Sequence, residues 1–251
     1  MPCQAPKPAL ALVIPALREA ECLRWLLPRV RVSLMNCGIP WELIIVDDDS
    51  RDGVEAVVEE AAAGDSRIRL LVRKGERGLS GAILHGWKHT EAAILGVMDA
   101  DMQHPPELLI ELLAQIAQGA DLAVGSRYAR GGQICSWNPL RKLISSVAIM
   151  LTLPLQRRSL RVQDPMSGYF LVCRRSVDGL FFQQGGFKLL LEILVRGRIH
   201  SVREVPFTFG CRRAGSSKAN LKVAWEYLLL LARLYSKRRE GKQVVEIASG
   251  D

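Results

Sequence analysis

The sequence predicts an α/β protein built on a mainly parallel, doubly wound sheet. Short apolar runs alternate through the first half of the chain with longer segments whose apolar residues recur at helical spacing. Several of these runs end abruptly in acidic residues or glycines, as buried strands do where they enter a loop. Strands and helices that alternate in this way form parallel βαβ units, and such sheets bind ligands beyond the carboxyl ends of their strands.

The first half of the chain contains most of the predicted elements. Apolar runs predict strands at Ala9–Ile14, Trp41–Val46, Ile68–Val72, Ile94–Met98 and Leu122–Val124. Helical spacing predicts helices at Glu19–Leu34, Val54–Ala63, Ala82–Glu91 and Leu108–Gln118. We expect Ser50 or Asp52 to cap the second helix. Pro105 and Pro106 are expected to start the fourth, since proline is tolerated in a first turn.

The alternation weakens after Gly132. Helices are predicted at Leu140–Leu155, Phe187–Val195 and Ala219–Tyr235, and strands at Gly168–Val172 and Val202–Phe209. No repeat or low-complexity linker divides the chain, so residues 1–242 are predicted to form a single domain with a helical annex at about 219–242. The tail, residues 243–251, is expected to be frayed.

Composition restricts the class of partner. Hydrophobic residues make up 49% of the chain and charged residues 24%, as in globular proteins. The net charge of +8 fits nucleic acid, anionic lipid or a phosphorylated substrate, although a generally basic surface explains it equally well. Nucleic acid is disfavoured because few aromatic residues interleave with the basic stretches. The six cysteines form no CxxC pair, so no structural zinc is predicted.

Two carboxylates stand one residue apart where the fourth predicted strand ends. Asp99 and Asp101 can share a divalent cation there, and Gln103 offers a carbonyl oxygen to the same ion. Oxygen ligands favour Mg²⁺ or Mn²⁺ over zinc, and a nucleotide diphosphate would complete the coordination. An isolated Asp-x-Asp pair is more often solvated or capping, but the end of a strand in a parallel sheet favours metal binding.

Two further segments carry weaker signals. Asp47, at the end of the second strand, can accept hydrogen bonds from a nucleobase or ribose, although acids there also suit a helix N-terminus. The loop Arg73–Gly81 places glycines and cations ahead of a helix. It lacks the P-loop and dinucleotide-binding patterns, so a solvated turn is the simpler explanation of this segment taken alone.

In this order, the motifs resemble those of family 2 glycosyltransferases of GT-A fold, and among them the dolichol-phosphate mannose synthases, also called polyprenol monophosphomannose synthases. The resemblance covers about residues 10–218. In the first half it rests on Ile14-Pro15, Glu19, Val46-Asp47-Asp48, Ser50, Asp52-Gly53, Gly78-Leu79 and Gly81-Ala82. In the second half it rests on Asp99–Glu107, Gly125–Tyr128, Gly131-Gly132, Asp164, Ser167-Gly168, Glu204-Val205-Pro206, Arg212, Gly215, Ser217 and Lys218.

The resemblance implies an inverting, metal-dependent transfer of mannose from GDP-mannose to a polyprenyl or dolichyl monophosphate. It implies nucleotide-sugar binding by Pro15, Glu19, Asp47, Asp99, Ala100, Arg212 and Lys218. It implies that Asp99, Asp101 and Gln103 hold Mg²⁺ or Mn²⁺, and that Arg127, Arg141 and Ser145 meet the acceptor phosphate. Asp101, Arg127 and Arg141 are the expected catalytic residues. The acceptor phosphate is already ionised near neutral pH and needs no general base.

The sequence departs from the family pattern at three positions. Phe170 stands where the family usually has arginine after Ser-Gly and an aromatic residue, which puts any role of that arginine in doubt. Arg18 and Asp49 replace residues that are often asparagine, so the nucleotide preference could shift.

A membrane surface is the expected location of the acceptor. The helix at Leu140–Leu155 has an apolar face flanked by Arg141, Lys142, Arg157 and Arg158, which suits an interfacial helix, although packing on the core suits it equally. No apolar stretch reaches the roughly 20 residues that span a bilayer, and the N-terminus lacks a signal-peptide pattern. We therefore expect a peripheral protein on the cytoplasmic face of a membrane. Whether a small membrane subunit takes part is left open.

Two alternatives stay open from sequence. UDP-glucose or another nucleotide-hexose could replace GDP-mannose, because the metal site does not read the sugar. A non-catalytic nucleotide-binding module or partner subunit is the alternative of another class. The intact Asp-x-Asp pair argues against it, and the missing arginine argues mildly for it.

Overall fold

A computed structural model describes residues 7–135, 139–182, 188–210 and 225–236 of the chain. The strands are β1 Leu10–Ala16, β2 Trp41–Asp47, β3 Ile68–Val72, β4 Ile94–Met98, β5 Leu122–Ser126, β6 Gln133–Ile134, β7 Tyr169–Cys173, β8 Val202–Pro206 and β9 Thr208–Phe209. The helices are α1 Ala20–Met35, α2 Val54–Ala62, α3 Leu79–Lys88, α4 Leu108–Ala117, α5 Pro139–Thr152 and α6 Leu189–Arg196. Residues 225–236 are also helical and are called α7 here.

A seven-stranded sheet in the order β3-β2-β1-β4-β7-β5-β8 forms the centre of the molecule. All neighbouring strands in it are parallel except β7, which runs antiparallel to both β4 and β5. The carboxyl ends of β1, β2, β4 and β5 therefore meet the amino end of β7 at one side of the sheet, which we call the carboxyl edge. The predicted α/β fold with a mainly parallel sheet is confirmed.

Apolar side chains fill both faces of this sheet. On one face, α1, α2 and α4 contribute buried residues such as Leu23, Val57 and Leu112 to a cluster with alternate residues of β1 and β2. On the other face, α3 and α6 pack residues such as Trp87 and Leu190 against the remaining strand residues. Because strand side chains alternate between faces and both faces are covered, the strands read as continuous apolar runs in the sequence.

The predicted cap of α2 was wrong. Gly53 is the residue before the helix, and no side chain caps it. Ser50 instead donates its backbone N–H and its hydroxyl to the Asp47 carboxylate. The Asp52 carboxylate accepts the N–H of Ala20 at 3.0 Å, at the start of α1. Both predicted caps therefore have other partners, which spacing along α2 alone does not reveal.

Two predicted boundaries also differ. The third helix begins at Leu79 and ends at Lys88, because Gly78, at a φ of 137°, lets the chain turn directly into it. The predicted strand Val202–Phe209 is divided at Phe207, whose N–H donates to Ser126 O at 3.2 Å. The first part, β8, extends the main sheet, and the second, β9, pairs with β6.

α5 and α7 form a pair of helices beside this core. Of the α5 side chains only Thr152 is buried. α7 buries Leu230, Leu231 and Leu234 against Leu155 and Leu191. Among the described residues, no helix combines the length and the apolarity needed to cross a membrane. Residues 219–224 and 237–251 lie outside the described part, so the single-domain prediction for residues 1–242, the full annex at about 219–242 and the frayed tail stay predictions.

Candidate functional site

The Asp-x-Asp pair lies at the carboxyl edge, directly after β4. Ala100 between the two acids is buried, and Asp101 is largely buried. The Gln103 N–H donates to Asp101 Oδ1 at 3.1 Å. The Gln103 side-chain amide nitrogen donates to Gly210 O at 2.9 Å, which makes Oε1 the side-chain atom of this residue suited to a cation. The local chain therefore presents carboxylate and amide oxygens together.

Gly168 lies directly against the Asp99 carboxylate. Met98 pairs with Tyr169 across β4 and β7, so the next residues of the two chains, Asp99 and Gly168, come together at the carboxyl edge. A β-carbon at position 168 would lie 2.0 Å from Asp99 Oδ2, which no packing allows. Only glycine therefore accepts the carboxylate in this place. Sequence reasoning noted Gly168 as part of a motif but did not find this contact.

His104 packs behind the segment that carries Asp99 and Asp101. It is buried, and its ring lies 5.4 Å from that of Phe207 and 5.3 Å from that of Phe209 between centroids. Burial lowers its pKa to about 4, so the imidazole is neutral at physiological pH. Its Nδ1 is 4.0 Å from Asp101 Oδ1, which is too long for a hydrogen bond. His104 is thus a packing residue beneath Asp101.

Asp47 and Asp48 have different surroundings at the end of β2. Asp47 is buried and bonded to Ser50, at the wall of a cavity of about 280 Å³ that Arg51 and Gly53 also line. Asp48 pairs with the buried Arg73, with 2.8 Å from Nε to Oδ1, and also accepts the Gly78 N–H at 2.8 Å. A carboxylate that organises both ends of the loop between β3 and α3 has a structural role.

That loop is therefore an ordered element and differs from a merely solvated turn. The Arg73 guanidinium donates to Gly78 O at 3.1 Å and to Glu76 Oε2 at 3.2 Å. Lys74 and Arg77 are exposed between these anchors.

Pro15 is buried at the end of β1 and Glu19 is partly exposed just before α1, so both lie at the carboxyl edge.

Arg127 follows β5 and is held by a bidentate ion pair. Its Nε and Nη2 each lie 2.7 Å from an oxygen of Asp164, which has no exposed surface. Glu204 in turn accepts the backbone N–H groups of Gln163 and Asp164. Burial lowers the pKa of Arg127, but the Asp164 hydrogen bonds and charge outweigh it and the net pKa is raised. The guanidinium also lies over the ring of Phe209, 5.1 Å from its centroid.

Lys188 is a residue of this site that sequence reasoning missed. It precedes α6, and its pKa is lowered by burial and then by the Arg127 charge, while the Asp99 and Asp164 carboxylates act in the opposite direction. Lys188 therefore interacts electrostatically with both the Arg127 guanidinium and the Asp99 carboxylate. The predicted helix start at Phe187 lies outside the described residues, and no motif marks Lys188 in the sequence.

The remaining acceptor-side residues lie on α5. Arg141 is exposed and Ser145 is partly buried. They are four residues apart, so they share one face of the helix. The Ser145 hydroxyl is 2.7 Å from the hydroxyl of Tyr128, which follows Arg127 in the chain. The structure thus brings Ser145 close to the segment after β5. Arg212 and Lys218 lie outside the described residues.

Phe170, one of the departures from the family pattern described above, is a core residue. It is buried in the cluster on the α3 and α6 face, with its ring edge-on to Trp87 at 6.4 Å between centroids. Neighbouring Tyr169 points to the other face, and its hydroxyl donates to Pro106 O at 3.3 Å. An apolar ring suits this position, because a guanidinium there would need a buried partner.

The donor atoms at the carboxyl edge fit a hard divalent cation. Asp99, Asp101 and Gln103 can offer two carboxylates and one amide oxygen to such an ion. In the described part of the chain, no three His, Cys, Asp or Glu side chains are grouped to enclose a metal by themselves. A cation held here would therefore take further oxygen ligands from a bound diphosphate or water.

Comparisons of the sequence identify the family. The sequence model of Glycosyl transferase family 2 matches residues 11–181. The dolichol-phosphate mannosyltransferase of Pyrococcus furiosus is 38% identical over 239 residues, which cover 95% of this chain and 67% of that protein. The protein of the same name from Saccharomyces cerevisiae is 36% identical over 235 residues, covering 90% of this chain and 86% of that protein.

Solved structures support the fold. Glucosyl-3-phosphoglycerate synthase from Mycobacterium tuberculosis, in complex with phosphoglyceric acid, superimposes with a TM-score of 0.67 at 18% identity. The alignment covers 91% of this chain and 79% of that one. The same enzyme in complex with Mn²⁺, uridine-diphosphate and glucosyl-3-phosphoglycerate gives a TM-score of 0.66 at 17% identity, with the same coverage. At these identities the likeness concerns the fold, which is of the GT-A type.

Proposed function

This chain belongs to glycosyl transferase family 2 and is a glycosyltransferase, and from that premise we propose that it transfers mannose from GDP-mannose to the phosphate of a polyprenyl or dolichyl monophosphate. The observation that carries the proposal is the Asp99–Asp101–Gln103 group at the carboxyl edge, where Asp99 interacts electrostatically with Arg127 and Lys188. The names of the relatives that match over most of their length point to the same donor class and acceptor.

On the donor side, Asp99, Asp101 and Gln103 would hold Mg²⁺ or Mn²⁺ together with the diphosphate. The structurally similar synthase binds Mn²⁺ with uridine-diphosphate, which favours a divalent metal here too. Such a metal supplies charge neutralisation for the departing nucleoside diphosphate. Pro15, Glu19 and Asp47 would line the nucleoside pocket, and Ala100 would lie beside the sugar-diphosphate. Arg212 and Lys218 are proposed to contact the same diphosphate.

On the acceptor side, Arg127, Arg141 and Ser145 would receive the lipid phosphate. Two N–H donors of the Arg127 guanidinium are already bonded to Asp164. Arg127 would therefore act mainly as a fixed positive charge at the carboxyl edge. Arg141, which is exposed on α5, would meet an incoming phosphate there. A phosphate monoester already carries negative charge near pH 7, so its oxygen would attack the anomeric carbon with no proton to remove. An in-line attack inverts the configuration of that carbon.

The lipid would approach across α5 and α7. Leu140, Leu143, Ile144, Val147 and Met150 of α5 are between 43% and 64% exposed, and Trp225 of α7 is 63% exposed. We call these exposed apolar residues, together with Leu228 and Leu229, the docking surface. Monomeric proteins seldom expose a contiguous patch of this kind without a use for it. Arg141 and Lys142 flank it with positive charge, as in helices that lie in a membrane interface. We therefore propose peripheral membrane attachment; a membrane subunit could cover part of the same surface.

A two-donor transfer assay tests the function. Purified protein is given polyprenyl phosphate in vesicles with Mn²⁺ and either GDP-mannose or UDP-glucose, each labelled in the sugar. We expect label to enter the lipid phase from GDP-mannose, and an excess of unlabelled UDP-glucose added to that reaction should not reduce the transfer. Transfer from UDP-glucose alone would support the alternative donor. Tight binding of GDP by folded protein without transfer from any donor would support a non-catalytic nucleotide-binding module.

A further inference from the structure

Tyrosine hydroxyls hold α5 to the rest of the molecule. The Tyr128 hydroxyl lies 2.7 Å from Ser145 Oγ. From α7, the Tyr227 hydroxyl donates to Ala148 O and the Tyr235 hydroxyl donates to Leu151 O at 2.9 Å. Apart from Thr152, the helix buries no side chain of its own. Its position therefore depends on a few directed polar contacts more than on a shared apolar core.

Tyr128 differs from the other two tyrosines in where it comes from and what it contacts. It follows β5 in the chain and is attached to the rigid sheet, whereas Tyr227 and Tyr235 belong to α7. It bonds to a side chain, and the other two bond to backbone carbonyls. Its ring also faces the Arg127 guanidinium, whose central carbon is 5.5 Å from the ring centroid. Tyr128 thus contacts both Arg127, which is fixed by Asp164, and Ser145.

The chemistry of the two hydroxyls gives this contact a direction. A hydroxyl has one proton to donate and two lone pairs with which to accept. When the Tyr128 O–H donates to Ser145 Oγ, the Ser145 proton is left to donate to a further acceptor. A phosphate oxygen next to Arg127 would be such an acceptor, and the preceding bond polarises the Ser145 hydroxyl. If Ser145 instead donated to the Tyr128 oxygen, its only hydroxyl proton would already be engaged and could not reach a phosphate.

We propose that Tyr128 is a positioning residue for the acceptor phosphate, acting through Ser145. Its phenol donates to Ser145 Oγ, so that the serine hydroxyl points at a phosphate oxygen held beside Arg127. This inference rests on the proposed function, because it takes Ser145 and Arg127 as the acceptor-phosphate residues. In this proposal Tyr128 acts on the phosphate through Ser145 and does not touch it.

The test is a double-mutant cycle of Tyr128→Phe and Ser145→Ala, assayed with GDP-mannose and a short, water-soluble isoprenyl phosphate. The short acceptor removes membrane attachment from the measurement. Tyr128→Phe should raise the KM for the acceptor by about fivefold to tenfold, the usual worth of one hydrogen bond, and leave the Kd of GDP unchanged. Both changes break the same chain of hydrogen bonds from Tyr128 through Ser145 to the phosphate. The acceptor KM of the double variant should therefore match that of Ser145→Ala within twofold.

Tyr235→Phe is the matched control. It removes the same type of hydroxyl from a tyrosine of α7 that also bonds to α5, but at the backbone carbonyl of Leu151, beyond Ser145. Its acceptor KM should equal that of the wild type, although the thermal stability of both variants should fall slightly. Multiplicative effects in the double variant, or equal KM changes in Tyr128→Phe and Tyr235→Phe, would overturn the positioning role. If the wild type transfers mannose and Tyr128→Phe has the same acceptor KM, this inference is overturned and the proposed function still stands.

Discussion

The proposed donor side and the proposed acceptor side of this molecule are built in opposite ways. Asp47, Ala100 and Asp101 lie at strand ends whose side chains are almost entirely buried. Arg141 and Ser145 lie on α5, whose apolar side chains remain largely exposed. A soluble nucleotide-sugar needs a preformed pocket, whereas a lipid phosphate has to be reached at a surface. The difference teaches that a buried sheet can fix one substrate while a loosely attached helix meets the other.

Removing Asp101, on the proposed donor side, should have the largest effect on transfer. Asp101→Ala loses the most buried carboxylate of the proposed metal group, so transfer should fall by about 10³-fold. The measurement is transfer of labelled mannose to lipid at saturating Mn²⁺. Asp178→Ala, at an exposed acid outside the site, is the control and should keep full activity. An active Asp101→Ala enzyme would remove Asp101 from the machinery.

Gly168→Ala tests whether the proposed donor side depends on the close approach of Gly168 to the Asp99 carboxylate. The added β-carbon would overlap the Asp99 carboxylate, which must then move by about an ångström, and such a displacement costs about 10²-fold in rate. The Mn²⁺ concentration for half-maximal activity should rise as well.

Gly96→Ala is the comparison for Gly168→Ala. Its β-carbon would meet the Leu171 side chain at 2.8 Å inside the sheet, so it should lower the melting temperature without changing the Mn²⁺ requirement. If both glycine variants lose activity only in proportion to stability, Gly168 has no particular role at the metal group.

Asp164→Asn tests the boundary between the two sides. The variant leaves the Arg127 guanidinium without its buried counter-charge, and breaking such a pair costs about 3 kcal/mol of unfolding free energy. Denaturant titration measures this. Arg175→Ala breaks the pair with Asp121, in which the arginine side chain is 74% exposed, and should change stability little. Equal losses in the two variants would show that burial does not distinguish these pairs.

The sequence predicted the donor side better than the acceptor side. Strands β3 and β4 match their predicted limits, because fully buried parallel strands are uniformly apolar and end at polar residues. The Asp-x-Asp pair was identifiable because its residues are neighbours in the chain. The Asp99–Gly168 and Asp48–Arg73 contacts join distant segments, so spacing could not reveal them. The roles assigned to the residues of both sides stay predictions.

The same limit explains Lys188 and the cap of α2. Lys188 interacts electrostatically with Asp99 and Arg127, which are far from it in the sequence, so spacing could not reveal it. Asp52 has the right spacing for α2 but bonds to α1. For α5, apolar periodicity fits packing on the core and packing on a membrane alike, and only the observed exposure of its side chains favours the second.

The smallest effect on stability is expected on the acceptor side. The double variant Leu143→Ser and Ile144→Ser removes two side chains that are 62% and 61% exposed, so the melting temperature should stay within about 2 °C of wild type. Co-sedimentation with anionic vesicles should fall by about tenfold, since each lost apolar side chain contributes to interfacial binding. Activity on a short soluble acceptor should persist.

Val32→Ser with Met35→Ser gives the control for that experiment. These α1 residues are 59% and 62% exposed, but they lie outside the docking surface. Vesicle binding should be unchanged. Equal losses in both double variants would show that general surface apolarity, and not the α5 and α7 surface, drives attachment.

The most direct test of the account is metal-dependent transfer by the wild-type chain. Protein stripped with EDTA is incubated with GDP-[¹⁴C]mannose and polyprenyl phosphate in vesicles, before and after Mn²⁺ is restored, and the lipid phase is counted. The account predicts no lipid-bound label without metal and full transfer once Mn²⁺ returns. Transfer that is indifferent to EDTA, or none at all by folded protein that still binds GDP, would contradict it.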